Sequence, residues 1–159
     1  MATKINKKAP KTNQPVVTIE KIYINDISLE LPNVPAIFLE QGELKIDTKI
    51  RTESALFHDD LYQCSVIVTI IAKLVDQRTV FLVEVSQSGI FRMLNMSKGK
   101  LEVTLSVTCP NMLFPYAREA VSNLISHAGF PPILLSPINF EALYLQQRQQ
   151  NGTSIPASE

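Results

Sequence analysis

The side chains best suited to catalysis or metal binding are sparse in this sequence. Its two histidines, His58 and His127, have no HExxH pattern and no Cys or Asp at ligand spacing, so they make no metal site. His58-Asp59-Asp60 carries donors for a cation, but the run reads better as a solvated polar loop. Cys109 precedes Pro110, and as a nucleophile its thiol would need a base or cationic surroundings. None lies nearby, so it reads as a small buried apolar residue. Arg118 and Glu119 are adjacent and do not face each other on a helix, which makes them structural or surface charges. The five glycines, at 42, 89, 99, 129 and 152, are too dispersed for a GxGxxG turn or a phosphate-cradling loop. Enzymatic chemistry on a small molecule is therefore not expected, and no cofactor is implied.

What remains is a binding protein, and the elements that would carry it can be read from periodicity. The strict alternation of Ile27, Leu29 and Leu31 against Asp26, Ser28 and Glu30 marks a half-buried strand. Upstream, Val17, Ile19, Ile22 and Ile24 change parity, which predicts a bulge near Glu20 and Lys21. Leu44, Ile46, Thr48 and Ile50 alternate with Lys45, Asp47, Lys49 and Arg51 in a second strand. A third runs from Cys64 to Leu74; Ile67 and Ile71 make its second face apolar too, as in a central strand. The fourth, Thr79 to Phe91, follows a short turn at Asp76-Gln77, as a hairpin requires.

The C-terminal third changes period. Ala117, Val121, Leu124 and Ala128 recur at helical spacing, with Pro115 placed in a first turn and Gly129 as the stop. Phe130-Pro131-Pro132 forces extended chain, and Asn139 offers an N-cap for a short last helix from Phe140 to about Gln147. Lys100 to Thr108 stays open: Leu101, Val103, Leu105 and Val107 alternate as in a strand, while Leu101, Leu105 and Cys109 match helical spacing. Strands followed by helices favour an α+β fold over a doubly wound parallel one.

At 159 residues and 45% hydrophobic content, the chain suits one domain with a real core. The 15 bases and 15 acids cancel, which argues against a protein working mainly by phosphate neutralisation. The balance is uneven along the chain. Residues 1–15 hold four lysines and no acid, leaving 11 bases against 15 acids in residues 16–159, or −4. This predicts a disordered basic tail over 1–15, a folded domain over 16–147 and a flexible polar tail over 148–159. The tail's lysines, without arginine or aromatic residues, are a weak case for a nucleic-acid arm, and no apolar stretch follows to make a signal peptide. No apolar run is long enough to span a bilayer, and two cysteines 45 residues apart without a CxxC pair point to a reducing compartment. Strands three and four carry more apolar surface than one small domain can cover, which points to a homo-oligomer or a ligand.

The run Cys109-Pro110-Asn111-Met112-Leu113-Phe114-Pro115-Tyr116-Ala117-Arg118-Glu119 resembles the signature of the SecB family, bacterial chaperones that deliver unfolded precursors to the export ATPase SecA. Further blocks agree in order and spacing: Ile22-Tyr23, Asp26-Ile27-Ser28 and Pro32-Asn33; Phe81 to Val85 leading into Gly89-Ile90-Phe91; and Phe130-Pro131, Pro137 to Phe140 and Ala142-Leu143-Tyr144. The likeness covers roughly residues 17–147. It implies a four-stranded antiparallel sheet with a long helix and a short C-terminal helix, assembled as a dimer of dimers. It also turns the open stretch before Cys109 toward helix.

The resemblance assigns SecA binding to Asp26, Glu30, Leu82 and Glu84. Parity places Asp26 and Glu30 on one strand face about 13 Å apart, and Leu82 with Glu84 likewise; a merely solubilising face would look the same. It assigns the oligomer interface to Val83, Val85 and Gln87, for which ordinary core packing is indistinguishable by sequence. Unfolded clients are expected in an apolar groove with exposed strand edges, for which Phe38, Leu44, Ile46, Phe140 and Tyr144 are the candidates, each of which also reads as core. Binding would need no ATP, and the location would be the bacterial cytoplasm with no insertion into the membrane and no nucleic-acid partner. The chain departs from the family's strongly acidic members in its mildly acidic body, and its end, Asn151 to Glu159, has one acid and no motif for a second SecA contact. Two other readings stand beside the general export chaperone: a SecB-like chaperone dedicated to one client such as an antitoxin, and a small-molecule carrier using the same apolar cavity.

Overall fold

The alternating segments form one four-stranded sheet in the computed structural model, which describes residues 13–152. The remainder of the basic segment, residues 1–12, and of the polar end, residues 153–159, lies outside the described residues. The strands are β1 (Val16–Glu30), β2 (Lys45–His58), β3 (Leu61–Lys73) and β4 (Thr79–Leu94), all antiparallel, in the order β1-β4-β3-β2. β3 is thus central, as its two apolar faces predict, and β4 is central with it. The expected bulge falls between Ile19 and Lys21, and a second between Ile24 and Asp26. These two irregularities reconcile the parity of Ile22 and Ile24 with that of Ile27.

The β3–β4 turn is held by its own charges. Asp76 accepts from the Arg78 backbone N–H at 3.1 Å and from Arg78 Nε at 2.9 Å, and Gln77 takes the left-handed conformation at φ 72°. The hydrogen bonds from Arg78 hold the Asp76 carboxyl below its ordinary range. Arg78 also reaches Glu40 at 2.8 Å, tying the turn to the segment before β2.

One face of the sheet is covered. Val66, Val68 and Ile70 of β3 and Phe81, Val83, Val85 and Phe91 of β4 pack against a helical hairpin-free column made of α1 (Lys98–Val103), a wider turn (Thr104–Thr108) and α2 (Cys109–His127). The open stretch is therefore helix. Ser97 caps its start by accepting from the Lys100 N–H. The Cys109 N–H reaches back to the Thr104 carbonyl, five residues away, immediately before Pro110, which has no N–H to give. Pro115 is not in a first turn but inside α2. It sits on the exposed side, as does Asn111, whose freed carbonyl can face water.

α2 buries Leu113, Ala117, Val121 and Ile125 at i, i+4 spacing, all fully inaccessible. Burial of such side chains contributes about 1.5–3 kcal/mol for each large one. The helix comes close because β4 has Gly89 beneath it: a Cβ there would lie 2.8 Å from Phe91 Cε2 and 3.0 Å from Leu113 Cδ2. Gly129, at φ 90°, ends the column as predicted. Asn139 caps α3 (Phe140–Gly152) through Oδ1, which accepts from the Ala142 N–H at 3.0 Å. α3 is longer than the helix to Gln147 that the sequence suggests.

Candidate functional site

The other face of the sheet is open, and cross-strand register defines its contents. Ser28, Glu84, Thr69 and Lys49 form one row across all four strands; Glu30, Leu82, Ile71 and Asp47 form the next, and Asp26, Ser86, Ile67 and Arg51 the one before. Residues directly opposite in a ladder share a face. Asp26, Glu30, Leu82 and Glu84 therefore lie together on the open face of β1 and β4. Asp26 and Glu30 are exposed, and Leu82 and Glu84 are half-buried.

The setting of the patch is polar and ordered. The Thr69 hydroxyl donates to Glu84 Oε2 at 2.9 Å, fixing that carboxylate from β3. Farther along the same face, Ser65 and Ser88 share a 2.6 Å hydrogen bond, and Gln63 Nε2 donates to the Tyr23 hydroxyl at 2.5 Å. Sequence reasoning did not pick out Thr69, whose pairing depends on register between distant strands. Asp26 and Glu30 make no ion pair among the described residues, so their charge is available to a partner.

Val83, Val85 and Gln87 occupy the opposite face. Val83 and Val85 are fully buried in the core of a single protomer, beneath the helices, and Gln87 is 3% exposed with Nε2 donating to the Tyr23 carbonyl at 3.0 Å. Their side chains pack within the protomer.

The groove candidates divide. Phe140 and Tyr144 are buried; Phe140 packs edge-on to Phe114 at 5.8 Å between ring centroids, as a core residue does. Leu44 is half-buried against the core. Ile46 and Phe38 are 44% and 49% exposed, and Phe38 stacks on Phe130 at 5.2 Å. A cavity of about 460 Å³ does lie between β2 and the start of α3, lined by Thr48, Ile50, Pro137, Ile138, Asn139, Ala142, Leu143 and Gln146. This wall is built from residues mostly smaller or more polar than the apolar candidates that the sequence suggests. Its signal was the even parity of Thr48 and Ile50, continuous with Ile46, and the Pro137-Ile138-Asn139 run facing them.

The remaining chemistry-bearing residues are structural. His58 Nε2 lies 3.4 Å from Asp59 in the exposed β2–β3 turn, and no metal-holding cluster occurs among the described residues. Arg118 stacks over Phe114, while Glu119 accepts from Asn123. Cys64 and Cys109 are both buried; a hydrogen bond with Cys64 and burial push the Cys109 thiol far above its ordinary range, leaving it unreactive. No helix among the described residues is long and apolar enough to cross a membrane.

The chain is similar to known proteins over most of its length. Residues 10–151 match the model of the SecB family, preprotein translocase subunit SecB. A protein-export protein SecB of Neisseria meningitidis is 54% identical over 136 residues, covering 86% of this chain and 92% of that protein. That of Chromobacterium violaceum is 52% identical over 139 residues, covering 87% and 92%. Among solved structures, a Mycobacterium tuberculosis SecB-like chaperone in complex with an antitoxin peptide superposes with a TM-score of 0.62 at 16% identity, covering 77% of this chain and 90% of that one. With the four-stranded sheet, the long helical column and a family match spanning nearly the whole chain, the protein belongs to the SecB family and is a chaperone of the Sec pathway.

Proposed function

We propose that this chain is an ATP-independent holding chaperone of the bacterial cytoplasm, which binds unfolded precursor proteins, keeps them competent for translocation and delivers them to SecA. The observation that carries the delivery step is the meeting of Asp26, Glu30, Leu82 and Glu84 on one exposed sheet face. Carboxylates around an apolar residue on a flat surface suit a basic partner, whose approach they steer at low salt. The working assembly is a homotetramer, a dimer of dimers. Val83, Val85 and Gln87 would influence it indirectly, by setting how α2 is seated on the sheet.

Clients would occupy the cavity between β2 and α3 and continue past Leu44, Ile46 and Phe38. Apolar subsites beside the unpaired edge of β2 accept irregular sequences without a fixed polar code. Phe140 and Tyr144 would shape the floor. A chaperone dedicated to one antitoxin is the less favoured reading, because export proteins share about half of this chain's residues and the antitoxin-bound structure far fewer.

Binding of a reduced, unfolded precursor to the purified protein, with the folded form as control and no nucleotide, tests the proposal. Selective uptake of the unfolded chain by a tetramer is expected. Equal neglect of both forms overturns it.

A further inference from the structure

The open face is not uniformly acidic. Three carboxylates, Asp26, Glu30 and Glu84, occupy the β1–β4 half, while on the other half Lys45 and Lys49 of β2 and Lys73 of β3 outnumber Asp47, the carboxylate left there once Arg51 and Glu53 pair with each other. In the central row Glu84 and Lys49 are two strand spacings apart, about 10 Å, too far to pair directly. None of the three lysines makes an ion pair among the described residues. Arg51 is excluded from the set because Glu53 holds it at 2.8 Å. Lys45 and Lys73 stand directly opposite each other in the β2–β3 ladder, an arrangement of like charges that costs stability and that one neighbouring carboxylate, Asp47, offsets only in part. They flank a cavity of about 390 Å³ that Asp47, Ile71 and Gln77 help line.

We propose that this basic edge is a second contact for the partner that docks on the acidic edge: acidic side chains of SecA sit at Lys45, Lys49 and Lys73 while its basic ones sit at Asp26, Glu30 and Glu84. The inference rests on the SecA-docking reading and specifies the partner surface as two adjoining patches of opposite sign. Both edges lie on one continuous face about three strand spacings, or 14 Å, across, so a single domain or a laid-down segment covers them together. A two-signed surface also fixes orientation, since a partner turned end for end meets like charge on both sides.

Titration of the full-length tetramer with SecA by calorimetry at low salt tests it, comparing Lys45→Glu/Lys49→Glu, the milder Lys45→Gln/Lys49→Gln, and Asp26→Lys/Glu30→Lys. The β2 reversal should weaken Kd by about tenfold and the neutral pair by about threefold, with part of the loss recovered as salt screens the repulsion. A Kd unchanged or tighter in both β2 variants, with binding lost on reversal of the acids, overturns the second contact and leaves the docking reading intact. Indifference to all three variants overturns both. A salt-dependent change in tetramer mass in the β2 variants, with SecA affinity untouched, would assign the edge to another copy of the chain and likewise overturn the proposal.

Discussion

Thr69 and Glu84 face each other across the β3–β4 ladder, and the Thr69 hydroxyl holds the Glu84 carboxylate at 2.9 Å on the open side of the sheet. In the proposed docking, the charge that SecA recognises is thereby fixed before the partner arrives, which lowers the ordering cost of binding. Thr69→Val keeps the shape and strand propensity of the residue but frees the carboxylate. Calorimetry should show SecA affinity falling by about twofold to fivefold, with folding stability changed by no more than about 1 kcal/mol.

Lys45 and Lys73 give a prediction of opposite sign for stability. Lys45→Glu replaces a like-charge pair with a complementary one, so chemical denaturation should show a gain of about 0.2–1 kcal/mol. An unchanged or lower midpoint would mean the two ammonium groups already avoid each other.

Gly89 and Leu113 set how closely α2 approaches β4. Gly89→Ala forces its new methyl into Phe91 and Leu113, both fully buried, and should cost about 1–3 kcal/mol. Leu113→Ala empties the same contact and should cost about 2–5 kcal/mol. Urea unfolding of both variants checks this. Because α2 seats the assembly in the proposed tetramer, light scattering should also show looser association.

Much of this architecture was legible because strands with one buried face write their parity into the sequence. Ile27 to Leu31, the hairpin at Asp76-Gln77, the bulge at Glu20 and the Asn139 cap all follow from local rules. The segment from Lys98 to Thr108 did not. Val103, Thr104, Val107 and Thr108 are β-branched and mimic a strand, while the wide turn before Pro110 breaks helical phasing; packing on the sheet overrides propensity there. Pro115 misled for a related reason, since a proline on an exposed helix side is tolerated where its freed carbonyl meets water. The four acidic-patch positions came together because parity on β1 and on β4 can be read separately, and the resemblance joined the two strands. The groove was harder. Phe140 and Tyr144 look the same whether they line a cleft or fill a core, and which of the two applies depends on where α3 lies against β2.

The Asn139 cap governs the start of α3, one wall of the proposed client groove. Asn139→Ala should cost about 1 kcal/mol locally and speed amide exchange at Ala142 and Leu143 without altering the sheet. Client affinity should fall with it if that wall contributes to binding.

Cys64 and Cys109 report on the core. With the Cys109 thiol pushed up by its partner and by burial, it stays protonated throughout the neutral and mildly alkaline range. An alkylating reagent at mildly alkaline pH should label neither cysteine in the native protein and both on unfolding, which mass spectrometry resolves.

The central claim is that the protein holds non-native chains without consuming nucleotide. The most direct measurement is the refolding rate of a slow-folding precursor, followed by its intrinsic fluorescence after dilution from denaturant, with and without a stoichiometric amount of tetramer. Refolding arrested or slowed by about tenfold or more, and resumed when a competing unfolded chain is added, is the result expected. A refolding rate the same with and without the tetramer would contradict the account.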